Sequence, residues 1–291
     1  MSNETAPQVR LPEPTIIELA DGVSTAVVDS GPPANGSQNP PVVLLHGWCV
    51  NSYVNYGSAY EALAAKNRVI MFDVRGHGNG APINGKIFKL ETNADDVVRV
   101  LDELSIDRAT IVGYSLGGAV AQLLAHRAPE RVASLVLAAT SELFCGHRGV
   151  RWEFKFLELS AEVVKRLPNA LQTPIFHTIA TISCLRYPSW VRPQVLQGDP
   201  VAILEAGADL GRFNSAEWIG ELNIPVAMIV TAEDRIVPPD SQYRLADDAK
   251  AVATIQIKSD HDIPVRNDQR LTDALVEAVH AVQSTQIDQR R

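Results

Sequence analysis

Short runs of Val, Ile and Leu that no polar residue interrupts recur along the chain and alternate with segments of helical periodicity. Strands buried on both faces have this unbroken pattern, whereas strands with one solvent-exposed face alternate apolar and polar residues. The runs occupy residues 42–45, 69–72, 110–112, 135–137 and 226–230. Their alternation with helices predicts a mostly parallel sheet covered by helices on both faces.

Further segments complete this α/β pattern. Two short strands precede the first run, one strand follows the last, and helices fall between the strands. The additional strands are predicted at 15–19, 24–29 and 252–257, and the helices near 60–65, 94–104, 116–128, 241–246 and 269–282. The sequence therefore predicts a central sheet of about eight strands.

The alternation of strand and helix patterns is interrupted between about residue 141 and residue 218. Helical spacing replaces strand patterns, and prolines divide the segment into short helices. Trp152, Phe156, Leu159 and Val163 fall on one face of the first of these helices. We therefore expect residues 142–218 to form a helical insertion, with residues 1–141 and 219–291 forming one α/β core.

The charge and composition exclude several classes of protein. The chain has 291 residues, 46% of them hydrophobic and 21% charged, and a net charge of −8. This balance provides no basic footprint for nucleic acid and none for an anionic membrane surface. The polar N-terminal segment does not resemble a secretory signal, and no run approaches the roughly 18–20 apolar residues of a membrane helix. Three widely spaced cysteines, at positions 49, 145 and 184, add to the expectation of a cytoplasmic protein without integral membrane association.

A Gly-x-Ser-x-Gly pattern lies where the run at 110–112 passes into a helix. It places Ser115 between Gly113 and Gly117. In a strand–turn–helix of this kind the serine adopts a strained backbone conformation and projects from the sheet. The glycines leave room for the turn, and the helix N-terminus supplies N–H groups that stabilise an oxyanion. The pattern predicts that Ser115 is a nucleophile.

Taken together, the motifs resemble those of the α/β-hydrolase superfamily, in particular its serine esterase and lipase-like members with a helical cap. The resemblance rests on Leu44-Leu45-His46-Gly47-Trp48, on the Asp73–Gly78 segment, on the 113–118 turn, and on Asp234 followed by His261. It implies that the backbone N–H groups of Trp48 and Leu116 form the oxyanion hole, that His46 and His77 are structural, and that residues 142–218 are the cap.

The resemblance also implies a base and an acid for Ser115. His261 follows the strand at 252–257, and Asp234, in an acid loop that continues into Val-Pro, follows the strand at 226–230. Glu233 is the neighbour most easily mistaken for the acid. Relatives usually carry glycine before the histidine, but here Asp260 precedes it and Asp262 follows it. Either carboxylate would raise the pKa of the imidazole if it lay close to it.

Aromatic residues suggest the substrate. Nine of the seventeen aromatic residues fall between 144 and 218, which predicts a largely apolar pocket under the cap. The pocket candidates are Tyr53, Tyr114, Trp152, Phe156 and Phe176, with His147 and His177 as weaker ones. We expect a small, uncharged ester or lactone with an apolar part. No motif indicates a cofactor or a metal ion.

Other activities of the same fold remain open. Carbon–carbon bond hydrolases and cofactor-free perhydrolases have similar sequences, whereas Ser115 argues against epoxide hydrolases and haloalkane dehalogenases, which use aspartate. An acyltransferase would also need the exclusion of water. The alternative that is not an enzyme is a receptor that retains the fold to hold a small apolar ligand.

Overall fold

The computed structural model describes residues 5–145 and 148–289, without the side chains of residues 148–153, 169 and 286–289. Eight strands form one sheet in the order β1-β2-β4-β3-β5-β6-β7-β8. Strand β2 pairs antiparallel with both of its neighbours, β1 and β4, and all other neighbours pair parallel. The strands are β1 Thr15–Glu18, β2 Ser24–Asp29, β3 Val42–Leu45, β4 Val69–Phe72, β5 Ala109–Tyr114, β6 Val132–Ala138, β7 Val226–Thr231 and β8 Ala253–Ile257. The predicted fold class is confirmed.

Helices cover both faces of this sheet. Successive residues of β3 point to opposite faces, so that Val43 and Leu45 pack on the side of α3 and α4, and Val42 and Leu44 on the side of α10. The helices are α1 Ser52–Tyr56, α2 Tyr60–Ala64, α3 Leu90–Glu103, α4 Leu116–Arg127, α5 Arg148–Lys165, α6 Asn169–Ser183, α7 Val191–Val195, α8 Pro200–Leu210, α9 Pro239–Asp248 and α10 Gln269–Gln289. In the part of the chain that the structure describes, no helix is long and apolar enough to cross a bilayer.

Strands β5 and β6 extend beyond the apolar runs that predict them. Each contains a buried hydroxyl residue, and the Oγ1 of Thr110 lies 3.0 Å from the Oγ of Ser134 on the neighbouring strand. This hydrogen bond satisfies two polar groups that would otherwise be buried without partners. Strand β6 therefore continues through Ser134, a polar residue that lies outside the apolar run at 135–137.

Helix α3 begins at Leu90, four residues before its predicted start. The N–H of Leu90 donates to the Asp209 carboxylate at 2.9 Å, and the N–H of Phe88 donates to the Glu205 carboxylate at 2.8 Å. Both carboxylates belong to α8, so they are far from α3 in sequence. They satisfy N–H groups at the start of α3 that have no partner within the helix.

The four helices α5–α8 lie between β6 and β7. The chain enters and leaves this segment at one place, because Leu143 and Asn214 form an antiparallel bridge and the N–H of Ser215 donates to the carbonyl of Glu142 at 2.9 Å. A hydrogen bond of 2.7 Å from the Trp48 indole to the carbonyl of Ile203 joins α8 to the loop after β3. The segment is thus fixed to the core both at its ends and through α8.

Helix α5 packs through a different face from the one that its periodicity suggests. The side chains of Phe156, Leu159 and Val163 are 69%, 59% and 59% exposed. The other apolar row faces α8 instead: a Cβ on Gly211 would lie 2.5 Å from Phe154, and one on Gly207 would lie 2.7 Å from Leu157. The expected face therefore remains at the surface. The side chain of Trp152, also assigned to that face, lies outside the described residues.

We expect Asp209→Ala to lower the free energy of unfolding by about 1–2 kcal/mol, because the start of α3 loses a buried acceptor. Glu158→Ala is the matched control: both carboxylates contact Arg212, but that of Glu158 is exposed and accepts no backbone N–H. Urea denaturation measures both variants. An equal loss of stability in the two would show that Asp209 acts only through its ion pair.

Candidate active site

Ser115 occupies a sharp turn between β5 and α4. Its φ of 52° and ψ of −113° lie in a strained region for a residue with a side chain. The chain on either side leaves no room for a Cβ: one on Gly117 would lie 2.0 Å from the carbonyl oxygen of Leu45, and one on Gly113 would lie 2.4 Å from that of Gly117. Glycine at both positions allows α4 to start directly against the end of β3.

The structure brings Ser115, His261 and Asp234 into one hydrogen-bonded chain. The Nε2 of His261 lies 3.0 Å from the Oγ of Ser115, and its Nδ1 lies 2.7 Å from the Oδ2 of Asp234. The carboxylate side chain is fully buried and the imidazole is 13% exposed. Each residue follows a strand of the parallel sheet, at the edge where the carboxyl ends of the strands meet.

Four donors besides the imidazole hold the Asp234 carboxylate. The N–H groups of Ile236 and Val237 donate to Oδ1 at 2.8 and 2.9 Å, while the Thr231 hydroxyl and the Gln242 amide donate to Oδ2 at 2.8 and 3.2 Å. These bonds fix the orientation in which Oδ2 faces His261. Neither Thr231 nor Gln242 is singled out by the sequence, although Thr231 stands at a recognisable place, at the end of β7.

The neighbouring acidic residues have other partners. Glu233 is exposed and does not occupy the acid position. Asp260 accepts a hydrogen bond of 2.6 Å from Arg266, whose guanidinium lowers the pKa of this carboxyl. Asp262 accepts one of 3.0 Å from the Tyr187 hydroxyl. The expectation that these two aspartates raise the pKa of His261 stays a prediction.

The loop after β3 lies directly beside Ser115. A Cβ on Gly47 would lie 3.5 Å from the Cβ of Ser115, and the Gly47 N–H donates to the side chain of Asn55 at 2.8 Å. Within the described residues, the N–H groups of Trp48 and Leu116 have no acceptor. Two free donors next to a serine hydroxyl are the elements of an oxyanion hole. No sequence motif identifies Asn55, the residue that accepts the Gly47 N–H and so holds this loop.

The two histidines of the β3 and β4 loops are buried and bonded to backbone. The Nε2 of His46 accepts the N–H of Val74 at 3.0 Å, and its Nδ1 lies 2.7 Å from the carbonyl of Gly47. The Nδ1 of His77 lies 3.0 Å from the carbonyl of Arg75. Burial lowers the pKa of both imidazoles, that of His77 to about 3, so both are neutral supports of the loops.

A cavity of about 880 Å³ opens beside Ser115 and runs between the core and helices α5–α8. Of the predicted pocket residues, Tyr114, Phe156 and Phe176 line it. The prediction for Tyr53 is wrong: its hydroxyl donates to the carbonyl of Pro7 at 2.8 Å, and its ring packs edge-on against Trp190 away from the cavity. The side chain of Trp152 and the whole of His147 lie outside the described residues, and His177 is half-buried without lining the cavity.

Most of the apolar lining comes from aliphatic residues that an aromatic count does not find. They belong to loops and a short helix of the core and to the helical segment: Val50, Val54, Ile236, Val237, Val191 and Ile203. The sequence offers no signal for them, because residues that meet at a cavity wall come from distant loops with no common periodicity. Arg186 also reaches the cavity, where its guanidinium contacts the Tyr187 ring.

Comparison with known proteins agrees with this geometry. Residues 40–261 match the model of the alpha/beta hydrolase fold family, and the chain therefore belongs to that family. It is 29% identical over 208 residues to the pimeloyl-[acyl-carrier protein] methyl ester esterase of Nitrosomonas europaea, covering 68% of this chain and 79% of that protein. It is 35% identical over 126 residues to the putative 2-succinyl-6-hydroxy-2,4-cyclohexadiene-1-carboxylate synthase of Bacillus subtilis, covering 43% of this chain and 44% of that protein.

Solved structures share the whole fold at low identity. An esterase from Thermogutta terrifontis matches with a TM-score of 0.76 and 22% identity over 94% of this chain and 100% of that one. The enol-lactonase from Burkholderia xenovorans matches with a TM-score of 0.75 and 19% identity over 91% and 100% of the two chains. Identities this low establish a common fold alone. The family resemblance given by the motifs is confirmed.

The hydrogen bonds around Asp234 lead to a prediction about the reactivity of Ser115. We expect Asp234→Asn to slow the covalent labelling of Ser115 by a fluorophosphonate about 10³–10⁴-fold, because the imidazole loses the group that orients its base nitrogen toward the hydroxyl. Glu233→Gln is the control, since it removes the adjacent exposed carboxylate and should label at the wild-type rate. Slow labelling of the Glu233 variant with normal labelling of the Asp234 variant would reverse the assignment.

Proposed function

We propose that the protein is a serine hydrolase that cleaves a carboxylic ester through an acyl-enzyme. The observation that carries this proposal is the hydrogen-bonded chain from buried Asp234 through His261 to Ser115, at the wall of an apolar cavity. Relatives named as methyl ester esterases support it. The matches to the Bacillus subtilis relative and to the Aeromonas hydrophila esterase span only 44% and 40% of those proteins, so the activity is assigned on the site.

The geometry supports a two-step reaction. The Oγ of Ser115 attacks the ester carbonyl while the Nε2 of His261 takes its proton, and Asp234 stabilises the imidazolium that forms. The N–H groups of Trp48 and Leu116 then donate to the negatively charged oxygen of the tetrahedral intermediate. His261 returns the proton to the leaving alcohol. A water molecule, activated by the same imidazole, releases the acid and restores the Ser115 hydroxyl.

We also propose that residues 142–218 act as a cap that selects the substrate. Helices α5–α8 contribute most of the cavity wall opposite Ser115, including Leu157, Phe176 and Ile203. With only a few polar groups in reach, the cavity favours the apolar, uncharged part of an ester. Hydrolysis of a lactone would use the same steps, because the leaving alcohol then stays attached to the acyl group. A cytoplasmic location stays a prediction.

Ser115→Ala should abolish the hydrolysis of p-nitrophenyl esters and the mass increase of an acylated enzyme, because alanine cannot form the covalent bond. Ser189→Ala, which removes an exposed hydroxyl in the cap segment, is the control and should keep both signals. Intact-mass spectrometry after rapid mixing detects the acyl-enzyme. Unchanged hydrolysis by the Ser115 variant would refute the proposal, and tight binding of the ester without turnover by the wild type would favour a receptor.

The apolar cavity should give a preference for longer acyl chains. Each methylene that enters it is worth about 0.8 kcal/mol, so kcat/KM should rise about fourfold per methylene until the cavity is full. Two exposed isoleucines of α6 form a matched pair, because Ile179 lines the cavity and Ile182 does not. We expect Ile179→Ala to lower kcat/KM about two- to fivefold for the longest good substrate alone, and Ile182→Ala to change nothing. If kcat/KM did not change with the length of the acyl chain, the acyl group would bind outside this cavity.

A further inference from the structure

Tyr114 is the last residue of β5 and stands directly before Ser115. Its backbone pairs with Ala138 of β6, and its side chain is only 2% exposed. The ring packs against Gly47, where a Cβ would lie 3.4 Å from Cδ1, and it lies beside the imidazole of His261, with the ring centres 5.6 Å apart. One buried side chain on the strand that carries the nucleophile therefore contacts both the loop after β3 and the base.

The Tyr114 hydroxyl donates a hydrogen bond of 2.8 Å to the backbone carbonyl of His261. The residue three positions later is Pro264, which has no N–H with which to donate to this carbonyl in a tight turn. In the part of the chain that the structure describes, no other backbone N–H donates to it. The hydroxyl of Tyr114 therefore fixes the carbonyl of His261 and, with it, the backbone from which the imidazole projects.

The side-chain contacts of the same loop hold the neighbours of His261 and lie nearer the solvent. Arg266 donates to Asp260, and the Tyr187 hydroxyl donates to Asp262. The side chains of Asp260 and Asp262 are 45% and 27% exposed, so water competes for both contacts. The bond from Tyr114 differs from them because its donor is buried and because it acts on the main chain of His261 itself.

The phenol of Tyr114 keeps its proton in this environment. Burial raises the pKa of the Tyr114 hydroxyl well above its ordinary value, and the negative charges of Asp234 and Asp262 raise it further. The hydroxyl therefore remains a hydrogen-bond donor at neutral and mildly alkaline pH. Its one proton is directed at the His261 carbonyl, so it is not available to a substrate in the cavity.

We propose that Tyr114 is a positioning residue for the base. Its hydroxyl holds the main chain of His261 where Nε2 lies 3.0 Å from the Oγ of Ser115 and Nδ1 lies 2.7 Å from the Oδ2 of Asp234. Because Tyr114 and Ser115 are adjacent in the chain, this bond ties the base to the same strand end as the nucleophile. The role rests on the proposed function, in which His261 activates Ser115. The Gly-x-Ser-x-Gly pattern does not reveal it, because the pattern accepts any residue before the serine.

Tyr114→Phe removes the hydroxyl and keeps the ring. We expect kcat for a p-nitrophenyl ester to fall about five- to tenfold at unchanged KM, because the imidazole loses a hydrogen bond that aligns it while the cavity wall keeps its shape. Tyr53→Phe is the matched control: it removes a hydroxyl that also donates to a backbone carbonyl at 2.8 Å, that of Pro7, away from the cavity. This control should keep the wild-type kcat, and thermal unfolding shows that both variants remain folded.

Two further measurements separate the positioning of the base from a general structural effect. In proton NMR spectra, the resonance of the His261 Nδ1 proton that is hydrogen-bonded to Asp234 should shift or broaden in Tyr114→Phe and stay unchanged in Tyr53→Phe. In a His261→Ala background, Tyr114→Phe should slow the labelling of Ser115 by a fluorophosphonate no further, because no imidazole remains to be positioned.

The proposal is overturned by a wild-type kcat in Tyr114→Phe, by an unchanged Nδ1 proton resonance, or by further slowing of the labelling in the His261→Ala background. Further slowing would show that the hydroxyl supports the serine turn or the loop after β3 instead. All three results are compatible with Ser115 as the nucleophile. Hydrolysis that survives Ser115→Ala would instead refute the proposed function itself.

Discussion

The close contact between the Ser115 turn and the end of β3 is the constraint on which the site depends. Gly117 lies so near the carbonyl of Leu45 that a Cβ there would be 2.0 Å from its oxygen. This contact brings the start of α4 against the loop that carries Trp48, and so places the two free N–H groups beside one hydroxyl. Backbone packing, and not a flexible side chain, therefore sets the positions of these two N–H groups, as the proposed oxyanion hole requires.

The Asp234 carboxylate is likewise held in place by groups of the core. Asp234 is buried, yet every donor around it is fixed: two N–H groups of its own loop, the Thr231 hydroxyl at the end of β7, and the Gln242 amide on α9. A buried carboxylate without such partners would be costly. Because these donors come from the core, the position of the Asp234 carboxylate does not rely on the helical segment that covers the cavity.

The sequence predicts the sheet, the helices on its two faces and the three central site residues, because these follow from local patterns: unbroken apolar runs, a Gly-x-Ser-x-Gly turn and short loops after strands. It misses what depends on contacts between distant segments. The start of α3 is determined by carboxylates of α8, the support of Gly47 by Asn55, and the position of Tyr53 by Pro7. Helix α5 carries two apolar rows, and periodicity alone could not tell which one faces α8.

The helical segment is attached to the core unequally, and this difference gives its two halves different roles. Helix α8 accepts hydrogen bonds from the core at Trp48, Phe88 and Leu90, and it packs against α5. Helix α6 has no charged residue with which to form ion pairs and turns a row of isoleucines outward. Helix α8 therefore anchors the cavity wall to the core, whereas α6 leaves apolar side chains of that wall exposed to water, where they are unfavourable.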